Sequence, residues 1–261
     1  MNDILHEIII SKKEEIAKRK EIFNTELLEN NCSEFQRDTI SMSKSIKESQ
    51  YGIISEFKRR SPSKGWINEK ANILQIAQGY QNSGASAISI LTDEKYFGGK
   101  IEDIHMVRES IKIPILRKEF IIDEYQLFQA KLIGADAILL IASVLEKNRL
   151  FELTSLAHQL GLEVLLEIHS EKELDYIDDS IEMIGVNNRN LGTFKTDISN
   201  SINLIDRLPK DKVLISESGI SQADTVKLLK SIGYNGFLIG ESFIKDSTPE
   251  KSLNKLICEL C

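Results

Sequence analysis

The sequence predicts a closed (β/α)8 TIM barrel with an N-terminal helical extension, and three observations predict it. From Tyr51 onward, eight short runs rich in β-branched and aliphatic residues alternate with longer amphipathic stretches, the texture of repeated βα units on a parallel sheet. Their starts lie roughly 20 to 35 residues apart, the length that a strand, a helix and two loops require. No Gly/Ser-rich or Pro-rich linker interrupts the series. Residues 1–261 therefore read as one barrel domain, of which 1–45 is the extension.

The extension opens with Ile4, Leu5, Ile8 and Ile9 at the spacing of one apolar helical face, so a helix that covers some other surface is expected. The first strand is GIISEFK from Gly52, the second SAISILT from Ser86, the third IPILRKE from Ile113 and the fourth DAILLIA from Asp136. EVLLEI from Glu163, MIGVNN from Met183, KVLISES from Lys212 and GFLIGES from Gly236 follow. Helical patterns such as VKLLKSI stand between them. Eight strands favour a closed barrel over an open doubly wound sheet, which typically has five or six.

The chain of 261 residues is 41% hydrophobic and 28% charged, which supplies enough apolar surface for a sizeable core. A net charge of −7 gives no electrostatic basis for nucleic-acid binding, so an anionic ligand must be held locally. The first residues lack the apolar core and cleavage site of a signal peptide, and no run is long enough to span a membrane. The cytoplasm is the expected compartment. Cys32, Cys258 and Cys261 make no disulfide framework. The terminal Cys258-x-x-Cys261 pair lacks a second pair to complete a zinc site, which favours helix-end packing over a metal or redox role.

In a barrel of this kind the chemistry sits at the C-terminal ends of the strands. Side chains alternate across a strand, so Ile54, Glu56 and Lys58 share a face, as do Leu116 with Lys118, Leu165 with Glu167, and Ile215 with Glu217,. If the apolar member points inward, so does the charged one. Glu56, Lys118, Glu167 and Glu217 come from the first, third, fifth and seventh strands, and alternate strands fill one barrel layer. Carboxylates and ammonium groups crowded there perturb one another's pKa values and suit proton transfer; ion pairing at strand ends is the plainer reading. Asn187, Arg189 and Ser218 stand at neighbouring strand ends.

Two further features concern anions. Ser218-Gly219-Ile220 and Gly240-Glu241-Ser242 follow the last two strands, where barrels often bind phosphate through backbone N–H groups, although glycine is equally expected at a tight turn. RRSPSKG, residues 59–65, is a long basic loop after the first strand, either a cover for the site or a solvated segment. His6, His105, His158 and His169 read as structural.

These runs together resemble one family. IISEFKRRSPSKG is similar to the signature of the indole-3-glycerol-phosphate synthases, and ILTDEKYFGG, PILRKEFIIDEYQ, GADAILLI, VLLEIHSEKEL, GVNNRNLGTF, SESGI and FLIGES follow in the family's order and spacing. The resemblance implies ring closure, decarboxylation and dehydration of 1-(2-carboxyphenylamino)-1-deoxyribulose 5-phosphate to indole-3-glycerol phosphate in tryptophan biosynthesis, with no metal or organic cofactor. It implies Lys118 as the general acid at the ketone, Glu167 as a partner in dehydration, and Lys58 and Glu56 as groups that orient substrate and shuttle protons. Asn187, Arg189, Glu217 and Ser218 would complete a polar floor. Ser61, Gly219, Gly240 and Glu241 would serve as ligand positions, mostly for the phosphate, with Glu241 acting through its backbone N–H. Phe97, Leu139 and Ile141 would line the slot for the aromatic ring.

One position departs from the family pattern: Glu119 stands where an Asp is usual, and alternation turns it away from Lys118,. A phosphoribosylanthranilate isomerase would want a cysteine at the barrel mouth, and none of the three lies at a strand end. A Schiff-base aldolase would use Lys118 covalently. A silent barrel serving as a binding partner should have lost one of Lys58, Lys118 or Glu167. The resemblance carries no implication about association with other tryptophan-pathway enzymes.

Overall fold

A computed structural model describes residues 4–35, 37–190, 192 and 195–261. Eight parallel strands close into a barrel: β1 (Ile53–Phe57), β2 (Ala87–Leu91), β3 (Ile115–Lys118), β4 (Ala137–Ile141), β5 (Glu163–Ile168), β6 (Met183–Asn187), β7 (Val213–Glu217) and β8 (Gly236–Ile239). Each strand pairs with its sequence neighbours, and β8 returns to β1 through Ile53–Phe237 and Ile54–Leu238. Every run read from the sequence contains a strand, within a residue or two at each end except that GFLIGES stops being strand at Ile239 and its Glu241-Ser242 opens a helix.

The extension is three helices, α1 (Ile4–Ile22), α2 (Thr25–Glu34) and α3 (Met42–Glu48), the last ending slightly beyond residue 45. They run from one end of the barrel to the other. Ile4, Leu5 and Ile8 of α1 reach the cavity at the C-terminal ends of the strands. Cys32 of α2 donates from Sγ to the Phe128 carbonyl on the flank. α3 closes the opposite end, where Glu163 at the start of β5 accepts from the backbone N–H groups of Met42 and Ser43. A carboxylate at a helix N-terminus meets both free N–H groups and a favourable dipole.

Around the barrel stand α4 (Ile73–Asn82), α5 (Glu94–Phe97), α6 (Ile101–Arg108), α7 (Glu124–Ile133), α8 (Lys147–Gln159), α9 (Ser199–Leu204), α10 (Ala223–Ser231), α11 (Glu241–Ile244) and α12 (Pro249–Leu260). Between β5 and β6 the connection is a 3-10 turn at Glu171–Tyr176. Local signals fix the ends. Asn72, Asp93 and Asp123 cap α4, α5 and α7 through their side chains, and Gly134 ends α7 at φ 93°, a left-handed geometry that glycine adopts without cost. Among the described residues no helix is long and apolar enough to cross a membrane.

The alternation inferred along the strands separates two cores. Ile54, Ala87, Leu116, Ala137, Leu165, Met183, Val213, Ile215 and Leu238 fill the barrel interior, with Met42 and Ile46 of α3 beneath them. Their neighbours on the outer face, such as Ile53, Ile88, Ile115, Ile138, Leu166 and Leu214, pack against the helices. An interior filled at its base leaves open only the end where the strands terminate.

Candidate active site

That end carries a cavity of about 440 Å³, within the range of small-molecule sites. All thirteen site residues read from the sequence line it, as do Leu139 and Ile141. The strand registers explain the convergence: Glu167 stands level with Ile141 and Gly185, and Glu217 with Asn187 and Leu238.

Lys118 is the centre of the polar layer. Its Nζ lies 3.1 Å from Glu167 Oε2 and donates a short hydrogen bond to Glu217 Oε2. Burial disfavours the ammonium, yet Glu217, Glu167 and Glu56 outweigh that and raise its pKa above the lysine range,. Glu167 is held the opposite way. Burial opposes its charge, but Lys118, His169 and Asn187 depress its pKa well below the carboxylate range. Asn187 Nδ2 donates to Glu167 Oε1 at 3.0 Å.

Glu217 carries the burden of the crowding. Burial, with Glu167 nearby, pushes its pKa up to about 7 against the pull of Lys118, and its Oε1 is buried with no hydrogen-bond partner among the described residues. The layer therefore holds an ammonium, a firmly ionised carboxylate and a carboxyl group poised near neutrality, the combination that acid and base steps require together. Lys58 Nζ donates to Glu56 Oε1 at 2.5 Å, and burial of Glu56 is outweighed by Lys58 and Lys118, which keep it ionised.

His169 is a member that sequence reasoning left as structural. Its Nε2 lies 3.1 Å from Glu167 Oε1, at ion-pair distance but not aligned for a hydrogen bond. Burial would lower its pKa; Glu167 and Glu173 raise it to about 10. The signal was available: residue 169 stands two beyond Glu167, so alternation places it on the same face. Phe120, two beyond Lys118, was missed for the same reason. Its ring lies 6.0 Å from that of Phe97, tilted by 37°, and both line the apolar side of the cavity with Leu139 and Ile141.

The loop 59–65 is ordered. Arg60–Ser61 and Gly65–Trp66 pair as a small antiparallel hairpin, and Arg59 forks onto both carboxylate oxygens of Asp103 at 2.6 and 2.9 Å. Ser61 is buried beside the cavity. The Glu241 carboxylate is engaged elsewhere than at an anion: it pairs with Lys64, with Lys245 at 2.8 Å and with Arg189 at 3.4 Å. Burial raises its pKa, but Lys245 and Lys64 lower it to about 2.

The turns after β7 and β8 have the backbone that their sequences suggested. Ser218 and Gly219 sit at φ 68° and 75°, and Asn188 Nδ2 restrains the first by donating to its carbonyl at 3.1 Å. A left-handed non-glycine residue is strained and must be held by its surroundings. A Cβ on Gly240 would stand 2.7 Å from Glu56 Cβ, so close approach of the two strands requires glycine there. Ser242 Oγ, at the cavity edge, is buried with no hydrogen-bond partner among the described residues. Leu191, Thr193 and Phe194 of the GVNNRNLGTF run lie outside the described residues. Cys258 and Cys261 lie at the exposed end of α12, far from this site in the fold.

Comparison with known proteins bears on the family and the fold. The family model described as indole-3-glycerol phosphate synthase matches residues 5–256. The indole-3-glycerol phosphate synthase of Bacteroides thetaiotaomicron is 53% identical over 257 residues, covering 98% of both chains. That of Aliarcobacter butzleri is 43% identical, covering 97% of both. Among solved structures, a tryptophan synthase alpha-subunit from Pyrococcus furiosus aligns with TM-score 0.60 at 18% identity, covering 80% of this chain and 97% of that one. A 3-hexulose-6-phosphate synthase from Salmonella typhimurium aligns with TM-score 0.62 at 13% identity, covering 80% and 100%. At such identities the structures speak to the barrel fold alone. The match along nearly the whole sequence decides the family: the chain belongs to the indole-3-glycerol phosphate synthases.

Proposed function

We propose that this chain converts 1-(2-carboxyphenylamino)-1-deoxyribulose 5-phosphate into indole-3-glycerol phosphate, carbon dioxide and water, as an enzyme of tryptophan biosynthesis working in the cytoplasm, and that residues 1–261 act as one domain. The observation that carries the reading is Lys118, buried at the barrel mouth between Glu167 and Glu217 and opposite the aromatic pair Phe97 and Phe120.

The substrate's aryl ring occupies the apolar side, and its ring carbon attacks the ketone. Lys118 donates a proton to the ketone oxygen as negative charge develops there. The ring nitrogen becomes an iminium ion, which the ionised Glu167 and Glu56 stabilise. Loss of the carboxyl group as carbon dioxide returns its bonding electrons to the ring. The new hydroxyl then departs as water, with a proton supplied by a lysine of the layer and another removed from carbon by a carboxylate. Lys58 and Glu56 orient the substrate and relay protons, while Asn187 holds Glu167 in line. Arg189, Glu217 and Ser218 form the polar floor.

The phosphate seat is assigned to Ser61, Gly219, Gly240 and the backbone N–H of Glu241, with Ser242 Oγ added because it is buried and unengaged among the described residues. Backbone donors at a glycine turn suit an anion. The carboxylate of Glu241 remains with its lysines and arginine and does not face the phosphate.

The test is incubation of the purified chain with the carboxyphenylamino-deoxyribulose phosphate, chelator present, while indole fluorescence is followed. Saturable formation of indole-3-glycerol phosphate supports the proposal and its metal independence together. Binding without turnover would make the chain a silent barrel, and no binding would reject the substrate; a borohydride-trapped adduct on Lys118 would favour a Schiff-base enzyme instead.

A further inference from the structure

We propose that Lys12 is a positioning residue for the aromatic side of the cavity, tying the loop that carries Phe97 to the loop that carries Phe120 from its place on the N-terminal helix. The inference rests on the assignment of that side to the substrate's ring.

Lys12 stands in a run of charged residues, SKKEEIAKRK, yet its side chain is only 2% exposed. Its Nζ lies 2.7 Å from Glu15 Oε2, 3.0 Å from Asp93 Oδ2 and 3.1 Å from Glu119 Oε1. An ammonium has three donors and a compact charge, so one lysine can hold three carboxylates at once. Burial alone would discharge it; the surrounding carboxylates reverse that and raise its pKa,.

Two of those carboxylates lead to the cavity. Asp93 accepts the Tyr96 N–H on its other oxygen at 2.7 Å and so caps α5, whose last residue is Phe97. Glu119 accepts the Phe120 N–H on Oε1 at 2.8 Å and the Thr92 hydroxyl on Oε2 at 2.8 Å. The tie therefore runs from Phe97 through Asp93, Lys12 and Glu119 to Phe120.

Removing the ammonium leaves Asp93 and Glu119 buried beside each other, both nearly inaccessible to solvent. Two like charges that have lost the cation they shared repel and pull their loops apart, with Arg117 Nη2, 4.0 Å from Glu119 Oε2, left as the more distant counter-charge,. The apolar wall that the two rings form then loosens, whereas Lys118, Glu167 and Glu217 keep their own contacts. The expected effect is on binding of the ring, with little on the chemical steps.

Lys12→Met, Lys12→Gln and Lys12→Arg test this in the full chain, each assayed well below its own unfolding midpoint. Lys12→Gln keeps a neutral NH2 donor group and guards against a Met variant that does not fold. The expectation is at least a tenfold rise in KM for the neutral variants with kcat within about threefold, and KM within about threefold of wild type for Lys12→Arg. The ketone-reduced ribitol analogue of the substrate, titrated by fluorescence, should weaken in the same proportion without any turnover. A lower unfolding midpoint with unchanged KM and unchanged analogue affinity would overturn the proposal and leave Lys12 a stabilising residue only. Loss of kcat at constant KM would overturn it too. Failure of the functional assignment is visible separately, as absence of turnover in the wild-type chain.

Discussion

Gly185 on β6 leaves open the space that the carboxylate of Glu217 on β7 occupies. A Cβ at position 185 would fall inside 3.0 Å of Glu217 Oε1, a separation that real Cβ atoms do not show, with Leu165 Cδ1 a further 3.3 Å neighbour. Glu217 can lie under Lys118 because Gly185, two residues before its register partner Asn187 on the adjacent strand, has no side chain. Gly185→Ala should therefore push Glu217 out of the layer and reduce kcat at least tenfold, about 1.4 kcal/mol of barrier. Circular dichroism should show a folded barrel. Wild-type kcat in this variant would show that Glu217 can leave Lys118 without consequence.

Lys118→Ala and Glu167→Gln each should lower turnover by about a hundredfold or more, the scale of acid–base groups. Lys118 donates to both Glu167 and Glu217, so its loss also leaves Glu217 buried without its cation and Glu167 with His169 and Asn187 as its remaining partners, which should lower thermal stability, whereas Glu167→Gln should cost less stability. Steady-state indole formation and thermal melts measure the two effects separately. Near-wild-type turnover in both variants would reject the assignment of the proton-transfer layer.

His169 gives a pH prediction. Glu167 and Glu173 flank it at 3.1 and 3.7 Å, and Lys118, bound to Glu167 from the other side, is the nearby cation. Its pKa rises from 6.5 to about 10 on folding, so the folded chain binds the extra proton between those values. The stabilisation is fully present below pH 6.5, shrinks as pH rises and is gone above about 10. The melting-temperature deficit of His169→Gln should accordingly be largest near pH 6 and nearly vanish by pH 10. A deficit independent of pH would mean that His169 acts by packing.

The sequence is legible where period and position suffice. Alternation alone placed Glu56, Lys118, Glu167 and Glu217 in one layer, because a residue that follows an interior Ile or Leu by two must share its face. The same rule extended past the strand end would have found Phe120 and His169. Lys12 was signalled by helical spacing instead: it stands four residues after Ile8 and four before Ile16, the other buried residues of α1, whereas Lys13 beside it is exposed,. What that buried face meets, Asp93 and Glu119, is remote in sequence and was not legible. The carboxylate role of Glu241 was hidden likewise, since its partners Lys64 and Arg189 come from two other loops.

Glu241 should govern how firmly the hairpin loop 60–66 stays over the cavity. Its carboxylate draws in Lys64 from that loop, Arg189 from the end of β6 and Lys245 from beyond α11; Arg189 Nη1 in turn reaches Ser63 Oγ at 3.5 Å. Lys64 is exposed, but a protease must take the chain in extended form, which requires the hairpin and its ion pair to open,. Exposed pairs are worth about 0.2–1 kcal/mol each, which translates into opening more frequent by roughly 1.4- to fivefold when one is lost. Limited trypsin digestion should cut Glu241→Gln after Arg60 or Lys64 faster by about that factor. Raised salt should speed cleavage of the wild type toward the variant, since exposed charges are screened. The Arg59–Asp103 fork remains in both proteins and keeps the base of the loop anchored, so the increase should be confined to its tip. Equal digestion rates at low salt would show that the hairpin is held by its backbone pairing and Arg59 alone, and that the three cations around Glu241 do not control access to the cavity.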